Sequence, residues 1–126
     1  MPMEIRKLKL NDIIPYKTMA IKDGILFSDK ADYYGIYEEN ILKGFSAIKY
    51  TANKAILKCE YVLPEYRRKG LLMRLIKDNL TVLKQNGILT AEANCTKMSF
   101  NAHLKSGAKV VKVYKNGITQ IRYENI

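Results

Sequence analysis

Hydrophobic positions along this 126-residue chain change period several times, and each change marks an element. Residues 3–10 alternate, with Ile5, Leu8 and Leu10 set against Arg6, Lys7 and Lys9, and predict a short strand. Asn11 or Asp12 then caps a helix over residues 13–22, with Pro15 in its first turn and Asp23-Gly24 as its stop. Residues 25–32 read either as a short helical turn or as loop. Three strand-like runs follow, 33–38, 41–51 and 54–63, broken at Glu39-Asn40 and Ala52-Asn53; such short connections imply antiparallel neighbours. The strongest periodicity comes after Gly70, where Leu71, Leu72, Leu75, Ile76, Leu80 and Leu83 recur at helical spacing up to an Asn86-Gly87 stop. Residues 88–94 predict the next strand. A strand–helix–strand crossover of these lengths places it parallel to and beside residues 55–63. Thr96 caps a further helix, 97–106, stopped by Gly107, and strands 108–115 and 118–124 flank Asn116-Gly117, a strong hairpin signal.

The stretch joining the third of those runs to the leucine-rich helix carries the most chemistry. It reads Pro64-Glu65-Tyr66-Arg67-Arg68-Lys69-Gly70 and opens directly into the helix at Leu71. The first N–H groups of a helix lack intrahelical partners, and the helix dipole favours an anion there. Gly70 allows close backbone approach, and three consecutive cations add full charges. The turn is therefore a candidate phosphate site. Neither G-x-G-x-x-G nor G-x-x-x-x-G-K-[ST] occurs in the chain.

Composition narrows the class. The length suits one domain with a single core, and 48% hydrophobic with 27% charged residues is an ordinary globular balance. No apolar run reaches the ~18 residues of a membrane span, and the first residues show no signal-peptide core, so a cytoplasmic location is expected. Cys59, Cys95 and the single His103 match no zinc spacing, so no metal is expected and the cysteines read as small buried hydrophobes. The net charge of +10 favours anionic partners: nucleic acid, an acidic protein face or a phosphate-rich cofactor. It is carried by 17 Lys and only 5 Arg scattered along the chain, which weakens a base-reading interpretation.

The residues Val62-x-Pro64-Glu65-Tyr66-Arg67-x-x-Gly70 resemble motif A of the GNAT-type N-acetyltransferases, V-x-P-E-Y-[RQ]-x-x-G-x-[GA], and depart from it at Leu72, where the family has Gly or Ala. The predicted order, β-α-β-β-β-α-β-α-β-β, is also that of the GNAT fold. The resemblance implies a single α/β (α+β) domain over residues 1–126, with a mixed, mostly antiparallel sheet and one parallel crossover. It implies acetyl transfer from acetyl-coenzyme A to a primary amine of an unidentified small or macromolecular acceptor. It assigns the backbone of Arg68, Lys69, Gly70, Leu71 and Leu72 to the pyrophosphate, with Arg67 beside it, and Tyr61 and Val62 to the acetyl-pantetheine arm. Leu72 is expected to crowd the pyrophosphate. The region between the first two strands is short for the family, which suggests an open acceptor site.

Acyl transfer to an amine also needs a base and an acid. Glu60, two residues before Val62 and on its face barring a bulge, is the candidate base. Glu92, on the neighbouring strand, is a lesser one; the competing reading for each is a cross-strand ion pair, with Lys49 or Lys58 for Glu60. Four residues before the glycine that ends the later helix, where the family commonly has tyrosine, stands His103; it reads either as the acid or as a helix-end histidine. A catalytically silent basic module that contacts nucleic acid or a partner protein is the alternative function, and the edges of the final hairpin offer a route to a homodimer.

Overall fold

The computed structural model describes residues 3–126; Met1 and Pro2, which the sequence reading takes as a start without a leader, lie outside them. The elements are β1 (Met3–Leu8), α1 (Leu10–Lys22), β2 (Asp32–Glu38), β3 (Ile41–Thr51), β4 (Lys54–Val62), α2 (Leu71–Gln85), β5 (Ala91–Cys95), α3 (Lys97–Lys105), β6 (Lys109–Val113) and β7 (Thr119–Tyr123). Their order is the predicted one. They build one sheet in the order β1-β2-β3-β4-β5-β7-β6, antiparallel throughout except for the β4–β5 pair.

Two differences from the sequence reading have local causes. α1 begins at Leu10, not Ile13, because Asp12 sits in its first turn and its carboxylate accepts the Lys9 N–H at 3.0 Å. Pro15 thus falls in the second turn. Residues 25–31 are loop, pinned where the Tyr33 hydroxyl donates to the Ser28 carbonyl at 2.9 Å.

The helices pack on opposite faces of the sheet. Ile13 and Ala20 of α1 bury against Tyr33, Phe45, Tyr61 and Leu63. On the other face Leu71, Leu75, Ile76 and Leu83 of α2 bury against Ile36, Ile48, Leu57 and Val62, and the core continues to Ala93 and Ile121 under α3. This places the stripe of leucines predicted for α2 against the sheet, with Arg74, Lys77, Thr81 and Lys84 outside or at the margin.

Two features of β4 position everything that follows. First, β4 pairs with β5 only at Ala55–Ala91 and Ile56–Glu92; beyond that point β4 runs on to Val62, while β5 keeps only its pairing with β7, which extends from Ala91 through Cys95. The strands part and leave a wedge-shaped opening through the sheet. Second, β4 carries a bulge. Lys58 faces Ala47 and Tyr61 faces Phe45, so Cys59 and Glu60 together oppose Ser46. Cys59 takes a left-handed φ of 57°, a conformation that costs a non-glycine residue about 1–2 kcal/mol. Its thiol donates to the Leu26 carbonyl at 3.0 Å. Behind the bulge, Ser46 and Asn79 of α2 are both fully buried and satisfy each other, with Asn79 Nδ2 donating to Ser46 Oγ at 2.9 Å.

Candidate active site

The bulge decides which way Glu60 points. Ala55 and Leu57 face α2; Ile56 and Lys58 face the other way. A regular strand would put Glu60 with Lys58, but the extra residue returns it to the α2–α3 side with Val62. There it meets His103. The imidazole Nε2 donates to Glu60 Oε1 at 2.5 Å, and Nδ1 lies 2.7 Å from the Tyr123 hydroxyl. That hydroxyl donates to the His103 carbonyl at 3.2 Å, which leaves it to accept from Nδ1–H. Both ring nitrogens therefore act as donors, the imidazolium pattern. Burial opposes that charge, but contacts with Cys95 and with the Glu60 carboxylate outweigh it and push the His103 pKa up to about 9. His103 is fully buried, so neither a surface position nor the expected ion pair of Glu60 with Lys49 or Lys58 is found. Glu60 Oε2 is buried without a hydrogen-bond partner. Such an acceptor costs about 1–3 kcal/mol when left unmade.

A stability prediction follows from the sign of the His103 shift. Its folded pKa, about 9, lies above the ordinary histidine value near 6.5, so the stabilisation is fully present below about 6.5 and is lost as pH rises through 9. Unfolding free energy from urea titrations should fall by up to ~3 kcal/mol across that interval. A His103→Gln variant should show a flat profile there. An equal fall in the variant would locate the dependence elsewhere.

The parting of β4 from β5 produces two clefts. One, of about 440 Å³, is lined by Glu60 together with Lys58, Leu26, Asn94, Ser99 and Ile118 among others. The second, of about 370 Å³, lies at the N-terminus of α2 between Val62, Arg68, Gly70 and Leu72 on one side and Met98, Ala102 and Lys105 of α3 on the other. No side chain caps α2; its N-cap is Gly70, with a φ of 75°, and Arg68 has a φ of 65°. Left-handed residues so close to an uncapped helix start gather backbone N–H groups into a concavity that suits an anion. A Cβ placed on Gly70 would meet nothing within 4 Å, so the space beside it is open. Leu63 donates its N–H to Lys43, so by ladder alternation Val62 directs its backbone groups away from β3, toward the gap.

The sequence-predicted residues divide accordingly. Arg68, Gly70, Leu71, Leu72 and Val62 line the second cleft. Lys69 is exposed and lies 6.0 Å over the Tyr66 ring. Leu72 packs against the core under α2 and lines the cleft as well, so it takes up part of the space where Gly or Ala would leave room. Arg67 also borders the cleft, but its guanidinium is engaged: Nε donates to the Val62 carbonyl at 2.8 Å and a terminal nitrogen to Asp23 at 3.2 Å. The Tyr61 side chain is on the opposite face, fully buried, its hydroxyl donating to Asp23 at 2.6 Å. Burial, then the Asp23 charge, pushes the Tyr61 pKa up to about 12; the hydrogen bonds from Tyr61 and Arg67 hold Asp23 below the usual carboxylate range. By the same alternation the Tyr61 backbone groups point to Phe45 of β3, away from the gap. Glu92 is tied up by Lys54, Gln120 and Arg122 at 3.0–3.1 Å, a structural cluster. Thr96 occupies the N-cap of α3 without a side-chain capping bond. Sequence reasoning missed Tyr123 and the α3 wall of Met98, Ala102 and Lys105; spacing along α3 from His103 would have suggested the latter once its packing on the cleft was known.

No family model matches the sequence, and no curated protein matches it. Solved structures do. The PaiA N-acetyltransferase of Thermoplasma acidophilum, in complex with coenzyme A, superposes over 98% of this chain and 99% of its own with a TM-score of 0.77 at 20% identity. The ribosomal-protein-S18-alanine N-acetyltransferase of Escherichia coli covers 98% and 94% with a TM-score of 0.77 at 14% identity. A GNAT family acetyltransferase of Elizabethkingia anophelis with acetyl-CoA bound covers 97% and 97% with a TM-score of 0.76 at 14% identity. The fold is the GNAT fold. At these identities the likeness is one of architecture, and it extends over nearly the full length of each chain. The Glu60–His103–Tyr123 chain is read from this protein's own side chains.

Proposed function

We propose that this protein is an N-acetyltransferase that uses acetyl-coenzyme A to acetylate a primary amine. The observation that carries the reading is the wedge between β4 and β5. It joins an uncapped, cationic helix start at one cleft to a buried carboxylate with a free oxygen at the other. The coenzyme A and acetyl-CoA complexes of proteins with this fold support it.

The residues at hand suit that cofactor. Backbone N–H groups at Gly70, Leu71 and Leu72, with Arg68 and Lys69 nearby, would hold the pyrophosphate. The acetyl thioester supplies the electrophilic carbon. Glu60 takes one proton from the ammonium to free the amine; transfer then makes a C–N bond and breaks the C–S bond, and the second proton on nitrogen passes through water to the departing sulfur. Glu60 Oε2 is the atom placed to accept, because Oε1 is held by His103. His103 borders neither cleft, so its part in this reading is to hold Glu60 in position. The alternative of a silent basic module draws on the net charge, on Leu72 in the cleft and on the tyrosine that His103 replaces, but the coenzyme A and acetyl-CoA complexes of this fold do not favour it.

Calorimetric titration with coenzyme A at physiological salt is the test, followed by thiol-release assays with an amine panel. Micromolar binding with thiol release supports the reading; no binding at millimolar ligand sinks it. Leu72→Ala should tighten coenzyme A binding by about three- to ten-fold by opening the cleft, worth about 1 kcal/mol. It should also lower stability by about 1–2 kcal/mol through lost core contacts. Weaker binding in this variant would show that Leu72 shapes the site instead of crowding it.

A further inference from the structure

The cleft that contains Glu60 has a second charged group that the reaction does not use. Lys58 lines the same cleft, two residues before Glu60, and among the described residues no acidic group pairs with it. In the antiparallel part of β4 its side chain stands on the face opposite Glu60. Because the strands have parted, the cleft reaches both faces: Leu26 belongs to the loop after α1, and Ser99 belongs to α3. The bulge at Cys59 brings these two opposite-facing side chains to the walls of one opening.

The charge balance of the opening is set by this pair of groups. His103 neutralises the Glu60 carboxylate from behind, which leaves Lys58 as the net charge. The whole chain adds +10 to that field. A polycationic acceptor would approach against it. An acceptor that brings a negative group would find the one unpaired cation of the cleft. The remaining lining is partly apolar: Ile25 and Ile118 flank the opening, and Leu26 stands at its rim with 80% of its surface exposed. A side chain left so open beside a cleft is a ready contact for an apolar group.

We propose that the acceptor is a small amino-acid-like zwitterion, its amine on Glu60 Oε2, its carboxylate on Lys58 and its apolar side chain against Leu26. This rests on the acetyltransferase reading above. The amine must lose its proton to Glu60 before it attacks. A carboxylate held by Lys58 fixes the amine's direction, so the preference appears mainly in KM.

The test compares leucine with isoamylamine, which has the same side chain and no carboxylate, and with spermidine, inside a panel of the common amino acids. Thiol release gives the rates, and calorimetry with coenzyme A is run on the same preparations. Leucine or another apolar amino acid should have a KM about ten-fold or more below that of its decarboxylated amine, the size of one charge-assisted contact. Lys58→Gln should bring that ratio close to one, and Lys58→Glu should reverse it toward spermidine. The reversal is a gain that a merely damaged protein would not show. Acetylation of none of the amino acids, or a carboxylate preference untouched by Lys58→Glu, overturns the proposal. Intact coenzyme A binding in that case leaves the acetyltransferase reading standing, whereas absent coenzyme A binding takes down both.

Discussion

Glu60→Gln should lower turnover by about 10²–10⁴-fold and leave coenzyme A affinity within about two-fold of the parent. Glutamine keeps the volume and can still accept from His103 Nε2 through its carbonyl oxygen, so the 2.5 Å contact has a substitute. What it cannot do is accept a proton from the amine. The loss should therefore be in kcat, with the turn before α2, on the other side of the wedge, untouched. The substitution also removes the negative charge that offsets His103. Since that charge helps raise the His103 pKa, the variant should lose much of the stability change between pH 6.5 and 9 described above. Two readouts then report on one residue. Full turnover in the variant would remove Glu60 from the reaction, whatever its effect on stability.

Gly70→Pro should weaken coenzyme A binding by about thirty-fold or more, a loss of at least about 2 kcal/mol. Proline fixes φ near −65°, and Gly70 has φ of 75°, so the turn has to be rebuilt. The substitution also deletes one of the N–H groups proposed to face the pyrophosphate. Gly70→Ala provides the graded comparison. Alanine tolerates the left-handed region at a cost of about 1–2 kcal/mol and has room for its Cβ, so its effect should be a smaller, several-fold weakening. Circular dichroism should show α2 intact in both, because its buried leucines and not its cap hold it to the sheet. Equal binding by the parent and both variants would mean that the turn's conformation is irrelevant to the ligand.

Much of the architecture could be read from residue spacing. The α2 leucines fall on one stripe because a helix against a sheet must bury one face, and α2 starts at Leu71 and ends at the Asn86-Gly87 stop, as the sequence reading has it. The Asn116-Gly117 turn marks the final hairpin for a reason of backbone conformation, with Gly117 at a φ of 86°. The turn proposed to hold phosphate was visible because glycine, cations and a helix start coincide there. The site's other half was legible only as separate residues: Glu60, on the face of Val62, and His103 stood out singly, and their contact did not. Nothing in Lys58-Cys59-Glu60 signals that Cys59 will adopt positive φ, since cysteine has no special tolerance for it. Without the bulge, period-two alternation along the whole of β4 gives the wrong face for one half of the strand. Nor does His103 on its own helix indicate what it will meet; its partners, Glu60 and Tyr123, come from 43 and 20 residues away. Arg67 looked like a phosphate ligand because its charge is adjacent to the turn. Its engagement with Val62 and Asp23 depends on where α1 ends in space.

The doubled position opposite Ser46 also constrains how such a chain can change by descent. Glu60 precedes Tyr61 and opposes Ser46, and so emerges on the α2–α3 side whatever residue stands at Cys59. Substitutions there can accumulate without moving the carboxylate. Even loss of Cys59 would leave Glu60 opposite Ser46, between Lys58 and Tyr61, on the face of His103; what would go is the bulge itself, and with it the bend in β4. In this strand the pairing beside Ser46 is inherited more strictly than lettering, and two chains could differ at most positions of β4 while keeping the carboxylate on the same face beside the wedge.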